Sequence, residues 1–219
     1  MKSPTAILFF SRSARAEASE KFAGGKGLGQ KIATALIDRT TRILSRVRLP
    51  VYHFDECDQV GDRFGDRLTG CIQRVFDFGY ESVLVIGNDA PQLTARHITA
   101  ASRRLERGDV IGPDGRGGIY LLGLHRATFD RLDLGDANWQ SRALCRQLVN
   151  VLDEPQVLGR LADCNAVHDI LRNWHLWKHQ VGVLAFLVVG RFTEIPFVPA
   201  YQDRSCLRTT AGRAPPTAA

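Results

Sequence analysis

Residues 82–91 read Ser82-Val-Leu-Val-Ile-Gly-Asn-Asp-Ala-Pro91, an apolar run that stops at a Gly-Asn-Asp turn and is closed by a proline. A short apolar run bounded by turn residues is the pattern of a strand buried on both faces, as strands of a parallel sheet are. In open α/β sheets, ligands bind beyond the carboxyl ends of such strands, where a carboxylate can hold a metal ion or a ribose. Asp89 stands at that point. An Asp ahead of Ala-Pro equally suits an Asx turn or a helix cap, so the local sequence leaves both roles open.

The segments on either side repeat the strand-then-helix alternation. Thr5 to Phe10 reads as a buried first strand, and Gly29 to Val47 carries Ile32, Leu36, Ile43 and Val47 at helical spacing. Pro50 to Phe54 reads as a second strand, Asp55 to Phe64 as a polar loop, and Leu68, Ile72, Val75 and Phe76 as one face of a helix ending near Gly79. Beyond the Asp89 turn, Thr94 is a plausible N-cap for a helix buried through Ile98, Ala101 and Leu105. Asp109 to Gly112 and Ile119 to Leu124 read as further strands, Ser141 to Val151 and Ala166 to Trp174 as helices. This order predicts a three-layer α/β/α, Rossmann-like fold with a mostly parallel sheet covered on both faces.

A chain of 219 residues, 44% hydrophobic and 24% charged, is long enough for one sizeable domain. We expect that domain over residues 1–200, with its core at 5–173, a packing helix at about 174–190, and an extended or disordered tail at 201–219. The apolar face from Trp174 to Val189 suits packing on the domain's own sheet or a homodimer surface. The longest apolar run, Val181 to Val189, is about half the roughly 20 residues of a membrane helix, and Ala6 to Phe10 is too short for a signal-peptide core. The expectation is a cytoplasmic protein. Five cysteines, without any CxxC pair, read as reduced and structural. A net charge of +6 suits anionic ligands, phosphates in particular, but the basic residues alternate with acidic ones and no nucleic-acid-binding signature occurs.

Two places could cradle phosphate. Gly24-Gly-Lys-Gly-Leu-Gly29 precedes a helix but lacks Walker spacing, and is either a phosphate loop or a flexible lead-in. The segment after the first strand, Ser11 to Lys21, carries Arg12, Arg15 and Lys21 and reads as a loop, either solvated or set to neutralise a polyphosphate. No hydrolase elbow or zinc motif occurs, and the six histidines read as surface or packing residues.

Three stretches carry a resemblance: Gln59-Val-Gly-Asp-Arg-Phe-Gly-Asp-Arg-Leu68, then Val85-Ile-Gly-Asn-Asp-Ala-Pro-Gln-Leu-Thr94, then Ile111-Gly-Pro-Asp-Gly-Arg-Gly-Gly-Ile-Tyr-Leu-Leu-Gly-Leu124. In order and separation they resemble a bacterial glycosyltransferase-like family, long known only as a domain of unknown function. That family is similar to the GT-A nucleotide-diphospho-sugar transferases and to guanylyltransferases for phospholactate and the molybdenum cofactor. Trp139-Gln-Ser141 and Leu161-Ala-Asp-Cys-Asn165 fall where it has Trp-Ser-Thr and Leu-x-Asp-x-Asp.

The resemblance implies a metal-dependent transferase that takes a nucleotide or nucleotide-sugar donor and an unknown acceptor. Asp89 and Asp163 would be ligands of Mg²⁺ or Mn²⁺ and, with Arg116, the catalytic set. Arg12, Lys21, Arg67, Asn88, Gly117 and Gly118 would contact the nucleotide or its phosphates. Departures accompany the likeness. Arg116-Gly-Gly118 stands where the family has Asp-Gly-Gly, with Asp114 a candidate to compensate. Asn165 replaces the second late aspartate, and of an N-terminal Lys-Thr-Arg only Lys21 is left. The sequence therefore supports two readings: a transferase with an altered site, or a catalytically silent nucleotide-fold module that binds a ligand or partner.

Overall fold

A computed structural model describes residues 4–22, 27–173 and 175. Its elements run β1 (Thr5–Phe10), α1 (Ala14–Lys21), α2 (Leu28–Leu44), β2 (Val51–Phe54), α3 (Phe64–Asp77), β3 (Ser82–Ile86) and α4 (Ala95–Leu105). There follow β4 (Val110–Pro113), β5 (Ile119–His125), α5 (Arg126–Phe129), α6 (Leu144–Val151), β6 (Gln156–Val157) and α7 (Val167–Arg172). The six strands form one sheet in the order β2-β1-β3-β5-β4-β6. β1 pairs parallel with β2 and β3, and β4 with β6, while β5 is antiparallel to both β3 and β4. Five strands thus share one direction, and the fold is the mostly parallel three-layer α/β/α architecture expected.

β3 shows why the sheet must be covered twice. All five of its residues are buried, and because side chains alternate across a strand they enter two separate cores. Val83 and Val85 pack with Leu68, Ile72, Val75 and Phe76 of α3, whereas Leu84 and Ile86 pack with Ile98, Ala101 and Leu105 of α4. Ala6 and Leu8 of β1 join the first cluster, Ile7 and Phe9 the second. A smaller third cluster ties Phe22, at the end of α1, to Ile32 and Leu36 of α2 and Ile170 of α7.

Several elements differ from the sequence reading. The stretch Ser11 to Lys21 contains a helix, α1, rather than only a loop. Its apolar content is too low to mark a face, but Ser13 caps it by accepting from the Ala16 amide, alanine favours the helix, and Glu17 pairs with Lys21 in the favourable i,i+4 order. β5 runs against its neighbours because residues 114–118 are too few for a crossover and can only make a hairpin. β6 escapes notice because two residues carry no periodicity. The proposed packing helix at 174–190, apart from His175, and the tail at 201–219 lie outside the described residues, as does the first half of the Gly24-containing segment. Of the latter, Gly27 has φ 76° and Gly29 lies so close to the Phe22 carbonyl that a Cβ would sit 2.5 Å from it. Among the described residues no helix is long and apolar enough to cross a membrane.

Candidate functional site

A cavity of about 560 Å³ opens at the carboxyl ends of β1, β3 and β4, within the usual size for a small-molecule site. Its walls come from the β1–α1 connection, the Gly87-Asn-Asp89 turn, the β4–β5 hairpin, the segment around Trp139, and the Asp163-Cys-Asn165 turn. The two acid-bearing turns are tied together by the backbone, since the Cys164 amide donates to the Asp89 carbonyl at 2.7 Å. Asp89, Asp163, Arg116, Arg12, Lys21, Asn88 and Gly118 all line this space, so most residues singled out in the sequence do converge.

Lys21, at the end of α1, places Nζ 2.6 Å from Asp89 Oδ1 and 2.6 Å from Glu17 Oε1. Burial works against the charged amine, but Asp89 and Glu17 together outweigh it and hold the Lys21 pKa above its ordinary value. Glu17 is buried and also accepts from Asn88 Nδ2 at 3.3 Å. The second ion cluster centres on Arg116. Its Nε lies 3.2 Å from Asp163 Oδ1 and its Nη2 contacts Asp169 Oδ1. The other Asp163 oxygen accepts from the Asn165 side-chain amide. Burial pushes the Asp163 pKa up, Arg116 opposes that shift, and Asp114 adds to it.

Asp114 does not take the part of a free carboxylate. Its Oδ1 accepts from the backbone amides of Arg116 (2.6 Å) and Gly118 (2.8 Å), which folds the hairpin into a tight turn. Gly117 adopts φ 97° in that turn and packs so close to Arg142 that a Cβ would fall 2.1 Å from its carbonyl oxygen. It shapes the wall and does not face the cavity. Arg12 pairs with Glu20 at the rim, and Arg15 is exposed on α1. Arg67 lies in an adjoining depression of about 490 Å³, where it donates to the carbonyls of Gly61 and Asp62. Glu17 and Asp169 are the site residues that sequence reading missed. Glu17 had a signal in its spacing to Lys21; buried Asp169, on the six-residue helix α7, had none.

These contacts decide how well a divalent metal fits. A carboxylate oxygen already paired with a protein cation is a poorer ligand for a second cation, because the two positive charges repel. Both oxygens of Asp163 are engaged, one oxygen of Asp89 is engaged, and among the described residues no group of three or more His, Cys, Asp or Glu side chains is arranged to hold a metal ion. The donor set does not fit a cation bridging Asp89 and Asp163.

A sequence profile of the family described as "Uncharacterized protein conserved in bacteria (DUF2064)" matches residues 51–140. No curated protein sequence matches the chain significantly. Among solved structures, the fold is similar to a "putative nucleotide-diphospho-sugar transferase" from Desulfovibrio desulfuricans G20, with TM-score 0.67 at 20% identity over 87% of this chain and 96% of that one. A homolog of Mycobacterium tuberculosis Rv0371c from Mycobacterium sp. strain JC1 gives TM-score 0.46 at 14% identity over 86% of this chain and 99% of that one. The chain thus has the fold of a nucleotide-diphospho-sugar transferase.

Proposed function

We propose that the cavity binds a nucleotide or nucleotide-sugar donor and that the chain carries out glycosyl or nucleotidyl transfer with it. The observation that carries this reading is the convergence of Lys21 and Arg116 on one cavity at the strand ends of such a fold. Fixed cations there suit a diphosphate, and they would stabilise charge developing on a departing nucleoside diphosphate or on an attacked phosphate. Trp139, whose ring lies 5.4 Å from that of Phe64 and whose Nε1 donates to the Leu134 carbonyl at 2.6 Å, supplies a fixed apolar wall.

The internal pairing of Asp89 with Lys21 and of Asp163 with Arg116 favours a second reading, in which the same pocket binds its ligand without turning it over. Thermal unfolding with a panel of nucleoside triphosphates, nucleoside diphosphates and nucleotide sugars tests both. A ligand that binds only the folded state must raise the midpoint, by about 2.7 kcal/mol of stability at a hundredfold excess over Kd. A flat response across the panel would count against nucleotide chemistry altogether. A stabilising nucleotide sugar left intact over hours, with no nucleoside diphosphate released by chromatography, would favour the silent module.

A further inference from the structure

Arg116 is gripped from two sides. Asp163, with its side chain 8% exposed, meets Nε, and Asp169, with its side chain 0% exposed, meets Nη2. Asp169 is itself fixed, because its Oδ2 accepts from the backbone amides of Asn165 (3.0 Å) and Ala166 (2.9 Å), while His168 Nε2 lies 3.2 Å from its Oδ1. The Arg116 side chain nonetheless remains 38% exposed and lines the cavity, and Nη1 has no hydrogen-bond partner among the described residues. An arginine carries five N–H donors in a rigid fork, so these two carboxylates leave several of them directed elsewhere. Lys21 repeats the arrangement on a smaller scale, wedged between Glu17 and Asp89 with its own side chain 23% exposed.

A divalent ion at Asp163 would sit beside the Arg116 guanidinium and be repelled by it, and displacing Arg116 would leave the wholly buried Asp169 without this cation, a costly change. A diphosphate needs no such displacement, because it can accept from the unused guanidinium donors while both carboxylates stay paired. We propose that Arg116, held by Asp163 and positioned by Asp169, is the resident cation that meets the ligand's diphosphate, and that this chain binds its nucleotide without a divalent metal ion. The proposal rests on the nucleotide reading above and names how that same site handles phosphate. Asp169 is then a positioning residue that acts through Arg116.

Isothermal titration of the full chain with ADP, CDP, GDP, UDP and dTDP, once in EDTA and once in Mn²⁺, separates the two ideas. The expected result is at least one nucleoside diphosphate whose Kd changes less than about twofold between the two conditions, and whose affinity in EDTA falls about tenfold or more in Arg116→Gln. Arg116→Lys should recover part of that loss, since it returns the charge without the fork. In Asp169→Asn the guanidinium loses its anchor, and the affinity in EDTA should fall while the Mn²⁺ response stays flat. Binding that requires Mn²⁺ in the unaltered chain overturns the proposal and leaves the nucleotide reading standing. So would an affinity unmoved by Arg116→Gln. Absence of binding to every diphosphate in both conditions would remove the nucleotide reading and the proposal together. The comparison of the unaltered chain in EDTA and Mn²⁺ decides the metal question even if a variant fails to fold.

Discussion

Asp89 and Asp163 are present where a pattern of acids at strand ends suggests a metal, but the cations they face are protein side chains. The sequence shows Lys21 and Arg116 as charged positions; it does not show that each lies between two carboxylates. Glu17 and Asp89 are separated in the chain by α2, β2, α3 and β3, and only the strand order β1 beside β3 brings them together. Removing the lysine should therefore do two separable things. Lys21→Met leaves buried Glu17 without its cation and is expected to cost on the order of 2–3 kcal/mol in urea unfolding. Adding Glu17→Gln should restore much of that stability, because the stranded charge is gone, yet leave nucleotide affinity low. Recovery of both stability and affinity in the double variant would mean that Lys21 serves folding alone.

At the scale of elements, α4 was legible in the sequence and α1 was not. The α4 face is marked by Ile98, Ala101 and Leu105, and its start by Thr94, which accepts from the His97 amide while His97 Nδ1 accepts from the Thr94 amide. α1 has no comparable stripe and is held by its cap and by the Glu17–Lys21 pair, signals that a search for apolar periodicity passes over. The His97 cap carries a pH dependence. Burial lowers its pKa below the ordinary 6.5, so an unfolded chain takes up this proton at a higher pH than the folded one. The contribution is whole above that value and is lost as the pH falls through the lowered folded-state pKa. His97→Gln keeps an acceptor at the third helical position and cannot titrate. Its urea midpoint should drop less than that of the unaltered chain between about pH 7.5 and pH 5.5; an equal drop would show that His97 is not the titrating group.

For the molecule as a whole, β3 is the centre on which both cores depend. Leu84 is 0% exposed and packs over Gly123 of β5, where an added Cβ would come within 2.9 Å of Leu84 Cδ2. Leu84 is enclosed between the sheet and α4, so Leu84→Ala should cost about 2–5 kcal/mol, read as a lower urea midpoint with an unchanged slope. A loss under 1 kcal/mol would mean that this layer collapses more readily than its packing indicates. Composition and apolar runs by themselves determined the three-layer architecture and the covered sheet and put Asp89, Arg12 and Lys21 near the strand ends, whereas Asp163, Arg116, Asn88 and Gly118 were marked only by the family resemblance. The architecture follows from burial, and burial is written in local periodicity. Which charge faces which was decided only by tertiary structure. The Lys21–Asp89 and Arg116–Asp163–Asp169 clusters join residues distant in the chain, and an ion pair depends on distances and directions that only the assembled sheet and its loops supply.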